Sequence, residues 1–448
     1  MTQSIILQVG QCGNQIANQF WNLALREHSS ANEAGLFDSA LSTFFINGAA
    51  DDGGYLPMAS GLKARAVLVD MEEGVVNELL KSRLKNIYDN RFLITDVSGS
   101  GNNWAVGMYT YGNRYHDDLV DAVRKSAELC DCLQCFFLIH SLGGGTGSGI
   151  GTHMLKILSD EYPNVYRFVT SVFPSMDDDV ITSPYNTVLA LKPLTDFADC
   201  VLPIDNSALS TLITKLQANG LDKKCPSRTQ SSALGTSLPT KKKPFDEMNN
   251  IVANMLLNLT SSSRFEGTLN VDLNEISMNL VPFPRMHYVI AAQSPLSNFF
   301  KTSEPRRADP AHHSYLATAL LLRGSITSSD MRRNVAKLQQ RLKFVPWNRD
   351  GWKIGHCLVP PVGLPYSVLA LSNNTAMRER FVELLDRFSR LYKRKAHLHH
   401  YTSVDGFEEK LFGASVESLK ALCEDYERID IQTEHGMPTN LPRLQISS

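Results

Sequence analysis

Nowhere in the 448 residues does an apolar run reach the roughly 18 to 20 residues that a membrane-spanning helix needs. The opening segment, Met1 to Gly10, turns polar within a few residues and lacks the basic flank and long apolar stretch of a secretory signal. A soluble protein is therefore expected, with no membrane partner. A dominant charge is missing as well. Lys and Arg number 44 against 46 Asp and Glu, a formal net charge of −2, which argues against a general electrostatic grip on nucleic acid or anionic lipid. The eight cysteines lack the even spacing of a disulfide scaffold, so they are expected as reduced thiols in the cytosol. Cys130, Cys132 and Cys135 could pass for half a zinc site, but no second pair lies at a matching distance. His397, His399 and His400 are read as exposed or cross-domain side chains, not as ligands.

What is present is a repeated alternation of short apolar runs with helical stretches. Ser4 to Val9 stops at Gly10, and Gln11 to His28 then carries apolar residues at helical spacing. The same pattern recurs at Ala66 to Val69, Cys135 to His140, Phe168 to Phe173 and Cys200 to Ile204, each followed by a polar or glycine loop. This predicts an α/β fold: a mostly parallel, Rossmann-like sheet with helices on both faces, whose ligands bind where loops leave the carboxyl ends of the strands. That block is expected over 1–217. Residues 218–243, a mixture of Ser, Thr, Gly, Pro and Lys without periodicity, read as an insertion or linker, its Lys241 to Lys243 run simply solvated. Met248, Ile251, Val252, Met255, Leu256 and Leu259 predict a broadly buried central helix within 244–264. A mixed α/β domain over 265–375 follows, with strands expected at Met286 to Ala292, Tyr315 to Arg323 and Ser367 to Leu371. Two amphipathic stripes, from Met377 to Leu391 and from Phe412 to Tyr426, predict a helical pair within 376–448.

The strongest local signal is the segment from His140 to Gly151, which places five glycines in the seven positions from Gly143 to Gly149 between an apolar run and a helix. Ordering so many glycines is entropically costly, and a linker would not interrupt a buried strand and a helix so closely. A loop of this kind at a helix start presents backbone N–H groups to an anion, with phosphate the natural guest. Two nucleotide motifs are excluded, because neither G-x-x-x-x-G-K-[ST] nor the G-x-G-x-x-G spacing occurs in that loop. The class of phosphate ligand stays open on these grounds alone. A second glycine turn, Gly10 to Gly13, follows the first strand, and Ser98 to Asn103 adds a small polar turn. Asp70 and Glu72 close the run from Ala66. Beside phosphates, an acidic pair makes sense through Mg2+, which bridges carboxylate and phosphate oxygens; the alternative is a solvated acidic loop.

Five segments in order carry a resemblance: Gly10 to Gln15 (GQCGNQ), Gly99 to Ala105 (GSGNNWA), Gly143 to Gly149 (GGGTGSG), Pro203 to Asn206 (PIDN) and Asn270 to Pro282 (NVDLNEISMNLVP). The chain resembles the tubulin family over nearly its whole length, including Lys393 to Tyr401 (KRKAHLHHY). The MTQS start, the insertion and the stretch from Lys243 to Val252 resemble its epsilon branch. The resemblance implies GTP or GDP with Mg2+ as cofactors. It puts Gln11 and Cys12 at the nucleotide, Asp70 and Glu72 near magnesium and the terminal phosphate, and Asn102 beside the phosphates. Ser141, Gly143, Gly144, Gly145, Thr146 and Gly147 would wrap the diphosphate, and Asp179 would lie near the sugar. Asn206 and Asn249 would bond guanine, with Phe245 stacked on it where most tubulins use tyrosine.

The resemblance further implies that hydrolysis is completed in trans by the loop of the next subunit, where the alpha type supplies glutamate and the beta type lysine. This chain has Glu275, with Asp272 one turn earlier, so weak GTPase activity at a subunit interface is expected, with Glu275 and Asp272 as catalytic residues. Implied partners are other tubulin subunits and centriolar proteins, and the implied setting is cytoplasm and cytoskeleton at centrosome, centriole and basal body. A non-polymerising, GTP-gated adaptor is the alternative. Three departures stand out: Ser183 replaces a family glutamate at the ribose, the stretch between Ala292 and Ala308 is short, and the terminus from Asn440 to Ser448 is not acidic.

Overall fold

The computed structural model describes residues 2–32, 36–47, 61–175, 178–218, 245–296, 313–435. Most of the 218–243 insertion, most of the stretch between Ala292 and Ala308, and the terminus from Asn440 lie outside them. Six strands form the first sheet: β1 (Gln3–Val9), β2 (Ala66–Asp70), β3 (Leu93–Thr95), β4 (Leu133–Ser141), β5 (Tyr166–Phe173) and β6 (Cys200–Asp205). Their order is β3-β2-β1-β4-β5-β6, and every pairing is parallel. All seven residues of β1 are buried, as a strand covered on both faces requires. Its side chains alternate: Ile5, Leu7 and Val9 enter one apolar core, Ile6 the other.

Helix α1 (Gly10–Ala31) lies on the Ile6 side, where Ile16, Phe20 and Trp21 are buried. Helices α2 (Gly151–Glu161) and α3 (Ser183–Phe197) cover the other face. After α4 (Asn206–Ala218) comes the central helix α5 (Asp246–Leu259), whose run from Val252 to Leu259 is buried apart from Asn254, which is partly covered. It packs between α1 and a second, mixed sheet.

That sheet contains β7 (Gly267–Leu269), β8 (Ile290–Ser294), β9 (Ser314–Gly324), β10 (Lys343–Phe344), β11 (Trp352–Cys357) and β12 (Tyr366–Asn374), in the order β8-β12-β9-β11-β7 with β10 beside β9. Helix α6 (Leu273–Leu280) sits between β7 and β8. The strand expected from Met286 begins later, because 287–289 first bridges the other sheet: Val201 N–H donates to His287 O at 2.9 Å and Val289 N–H to Val201 O at 2.8 Å. Only then does the chain join β12. Helices α7 (Met377–Tyr392) and α8 (Lys410–His435) close the Leu7 face, their Phe381, Phe388, Phe412 and Tyr426 entering the same core. No described helix is long and apolar enough to cross a membrane.

One charged cluster pins the two sheets and the central helix together. Glu27 of α1 meets Arg323 of β9 at 2.8 Å and Arg264, just beyond α5, at 2.7 Å, with side chains 1%, 0% and 0% exposed. Arg323 also donates to Asn258 Oδ1 at 3.2 Å and Val359 O at 3.1 Å. Two guanidiniums against one carboxylate leave the cluster positive, so the adjacent His28 stays neutral, pushed down to about 3 by burial and then by the two arginines. Glu27→Ala would strand two buried cations, and it is expected to lower unfolding free energy by about 3–5 kcal/mol in denaturant titration.

Burial likewise pushes His140 and His287 down to about 4. The unfolded chain takes up these protons below pH 6.5, whereas the folded chain refuses them until near pH 4. Stability is therefore complete above that range and falls as pH drops through it, by about 1.4 kcal/mol per pH unit for each such histidine. Thermal melts across this interval should show the decline.

Candidate functional site

The carboxyl ends of β2, β1, β4, β5 and β6 open on one cleft of about 1200 Å³, counted to its open mouth. Neighbouring strands stand about 4.8 Å apart, so the loops form a trench about 19 Å long from β2 to β6. Along it lie Asp70 and Glu72, then Gly10, Gln11, Cys12 and Gln15, then Ser141 with Gly143 to Gly147. Beyond these come Val172 within β5, Pro174, Asp178 and Val180 after it, and finally Asn206, Phe245 and Asn249. Ser100 and Asn102 overhang the glycine loop, with Ser100 Oγ 2.8 Å from Thr146 Oγ1. The cleft thus gathers every residue expected at a nucleotide except Asp179, which is exposed; its neighbour Asp178 lines the wall instead.

Packing behind the loop explains some of its glycines. A methyl on Gly145 would stand 2.5 Å from both Asn103 N and Ser100 Oγ. On Gly144 it would meet nothing nearer than Asn102 Oδ1 at 3.7 Å, so that position is open toward the trench, where an anion can reach the backbone. Gly10 starts α1 at φ +72°, a conformation that strains other residues.

At one end the Asp70 side chain is buried, and its Oδ2 accepts no hydrogen bond while Oδ1 takes one from Glu72 N–H at 3.3 Å. Burial pushes the carboxyl up to about 7. A buried carboxylate oxygen facing a cleft suits a cation. Among the described residues no cluster of three or more His, Cys, Asp or Glu could hold a metal by itself. The half-buried Cys12 thiol is pushed up to about 12 by burial and stays protonated. At the other end Phe245, 55% exposed, holds φ +72°, an outlier for an aromatic residue. An exposed ring beside the amides of Asn206 and Asn249 suits a planar base with polar edges.

The residue that sequence reasoning missed is Asn186. Fully buried in α3, it donates to Gly143 O and Asn102 O, both at 2.8 Å, and accepts from Trp104 N–H at 2.9 Å and the Tyr401 hydroxyl at 2.6 Å. A lone amide at the head of an otherwise apolar helical stretch was the available signal.

Comparison with known proteins agrees. Residues 3–214 match the Tubulin/FtsZ family, GTPase domain, and residues 306–386 match the Tubulin C-terminal domain. The chain is 54% identical over 475 residues to the human (Homo sapiens) Tubulin epsilon chain, with 100% of both chains covered. It belongs to the tubulin family. Its similarity to the Mus musculus Tubulin epsilon chain is 53% identity, also over 100% of both, and to the Suillus bovinus Tubulin beta-2 chain 32% over 96% of each. As a tubulin it is a GTP-binding subunit, and the trench lies within the matched GTPase domain apart from Phe245 and Asn249.

Glu275 and Asp272 stand elsewhere. Asp272 caps α6, accepting from Leu273 N–H at 2.9 Å and from Gln134 Nε2 at the start of β4. Tyr166, which opens β5, bonds Asn274. Helix α6 is therefore anchored at the amino ends of strands whose carboxyl ends form the cleft. Glu275 is half-exposed there and pairs with Lys353 Nζ at 2.5 Å.

Gly144→Ala should melt like the parent without nucleotide yet bind a fluorescent guanine nucleotide at least about tenfold more weakly, whereas Gly145→Ala should lose folding stability outright.

Proposed function

We propose that this tubulin binds GTP in the trench with Mg2+ at Asp70 and Glu72, and that it completes a partner's hydrolysis at its opposite end. In this reading the ion supplies charge neutralisation of the terminal phosphates. The amides of Gly143 to Gly147 cradle the phosphates, Phe245 stacks on guanine, and Asn206 and Asn249 read its edge. The supporting observation for action in trans is distance. The nine residues of β4 separate Glu275's end of the sheet from the cleft, a span of roughly 26 Å at 3.3 Å per residue. No side chain crosses that gap, so Glu275 can serve only a nucleotide held by another subunit, stacked head to tail. A carboxylate there can accept a proton from the attacking water. Asp272, already engaged as cap and by Gln134, acts by holding α6 in place.

Head-to-tail contact of this kind generates filaments, so the partners are other tubulin subunits. By its similarity to the epsilon chains, the setting proposed is the cytoskeleton at centrosomes, centrioles and basal bodies, with centriolar proteins as further partners. Hydrolysis is slow because it waits for a neighbour. Purified protein should bind GTP and hydrolyse it slowly alone; with alpha- and beta-tubulin, added turnover should appear and drop about tenfold or more in Glu275→Ala with GTP binding unchanged. Turnover indifferent to that substitution removes the catalytic role. Pelleting with tubulin supports a lattice subunit, and a persistent small complex would favour the adaptor.

A further inference from the structure

The Asn206 amide takes its place in the trench from the backbone that carries it. Among the described residues none hydrogen-bonds its side chain, although Asn206 lines the cleft. It is the first residue of α4, so the amide reaches wherever the start of that helix aims it. The start is fixed by Asp205, the last residue of β6. Asp205 Oδ1 accepts from Ser207 N–H at 3.0 Å and from the Ser207 hydroxyl at 2.7 Å, the bonding of a helix N-cap.

The same oxygen is held from the carboxyl-terminal helices. Arg380 of α7 places Nη2 2.9 Å from Asp205 Oδ1, with both side chains 22% exposed. Its Nη1 donates to Glu383 Oε2, one turn along α7, at 2.5 Å, so the guanidinium is set between two carboxylates. Phe381, the next residue, is fully buried and anchors this part of α7 in the core. Arg380 itself is not among the residues lining the trench. Groups that read a ligand by hydrogen bonds must be held to within about 0.5 Å of their working positions by the side chains behind them. A neutral side chain at position 380 would remove the tie between α7 and the residue on which the first turn of α4 is built.

We infer that Arg380 is a positioning residue for base recognition: through its ion pair with Asp205 it holds Asn206 where guanine is preferred over adenine. This rests on the guanine-nucleotide reading of the trench, with Asn206 at the base.

The test is competition of GTP and ATP against a fluorescent guanine nucleotide, with thermal melts alongside, in the parent and in Arg380→Leu, Arg380→Lys, Asp205→Asn and the Arg380→Leu/Asp205→Asn double variant. Asparagine keeps an oxygen for the Ser207 N–H while removing the charge, so it breaks the pair without uncapping α4. Because α7 is untouched in Asp205→Asn, that variant carries the test even if Arg380→Leu disturbs the helix. The parent should prefer GTP. In Arg380→Leu and in Asp205→Asn the GTP-to-ATP affinity ratio should fall about fivefold, through weaker GTP binding with ATP unchanged. Arg380→Lys, which keeps a cation for a contact to a single oxygen, should stay within about twofold of the parent, and the double variant within about twofold of either single one. A purely structural tie gives a different result, a lower melting temperature with GTP and ATP weakened alike. That outcome, or a ratio that Asp205→Asn leaves unchanged, overturns the role of Arg380 while leaving the guanine reading intact. A parent that binds GTP no better than ATP overturns both.

Discussion

The four hydrogen bonds of the Asn186 amide hold the cleft in shape. A primary amide has two donors and two acceptor lone pairs, and here each is used, on Gly143, Asn102, Trp104 and Tyr401. A glycine loop has no side chains with which to fix itself, so its form must be imposed from behind. Asn186 does this by gripping the carbonyl of Gly143 where the loop begins. The same amide binds the carbonyl of Asn102, a non-glycine residue at φ +53°, a conformation that persists only when neighbours enforce it. Carboxylate in place of the amide would face two carbonyls with no hydrogen to offer, and an apolar side chain would take this partner from the Trp104 N–H, the Gly143 carbonyl and the Tyr401 hydroxyl, while the Asn102 carbonyl would keep Thr182 Oγ1 at 3.2 Å.

Through Tyr401 that grip extends to the carboxyl-terminal helices. Tyr401 lies in a core of rings with Tyr185, Phe407 and Phe412, and Asn103 donates to His400 O at 2.8 Å. The loops over the trench are thus bonded directly to the turn that joins α7 to α8. At the far end of the sheet, α6 is fixed to the strand starts by Gln134 and Tyr166. The parallel sheet acts as a rigid spacer between the end that carries the cleft and the end that carries Glu275, and burial of β1 on both sides is what makes it rigid.

The first sheet was legible because each strand is a continuous apolar run ending in a loop of distinct chemistry, and five of its six strands were placed within two residues. The sixth, Leu93–Thr95, is three residues long and has no such pattern. The second sheet was harder for the same reason. Gly267–Leu269 is equally short, and Trp352–Cys357 carries Lys353 and His356 among its apolar residues, so neither stands out until a neighbour pairs with it. The segment from Met286 misled because it serves two sheets in succession, a choice made by the distant Val201. In the cleft, the glycine loop announced itself through an entropic cost with no local reason. Which of two adjacent acids faces inward depends on the turn after β5, and the pairing of Glu275 with Lys353 joins residues far apart in the chain; neither is written in local spacing.

Buried charge is treated differently in the two places where it occurs. Among the described residues only two buried carboxylate oxygens accept no hydrogen bond, Glu27 Oε2 and Asp70 Oδ2. Glu27 Oε2 has the Arg264 guanidinium 2.7 Å away as an ion pair, so its charge is compensated within the fold. Asp70 Oδ2 has no such counterpart, although a neutral side chain of similar shape would be easier to bury. A carboxylate kept buried and half-satisfied at the mouth of a cleft lowers the stability of the free protein. Burial of such a group becomes favourable only beside a positive charge. The cluster at Glu27 is a finished joint within the fold, whereas Asp70 keeps an acceptor oxygen that no described residue satisfies.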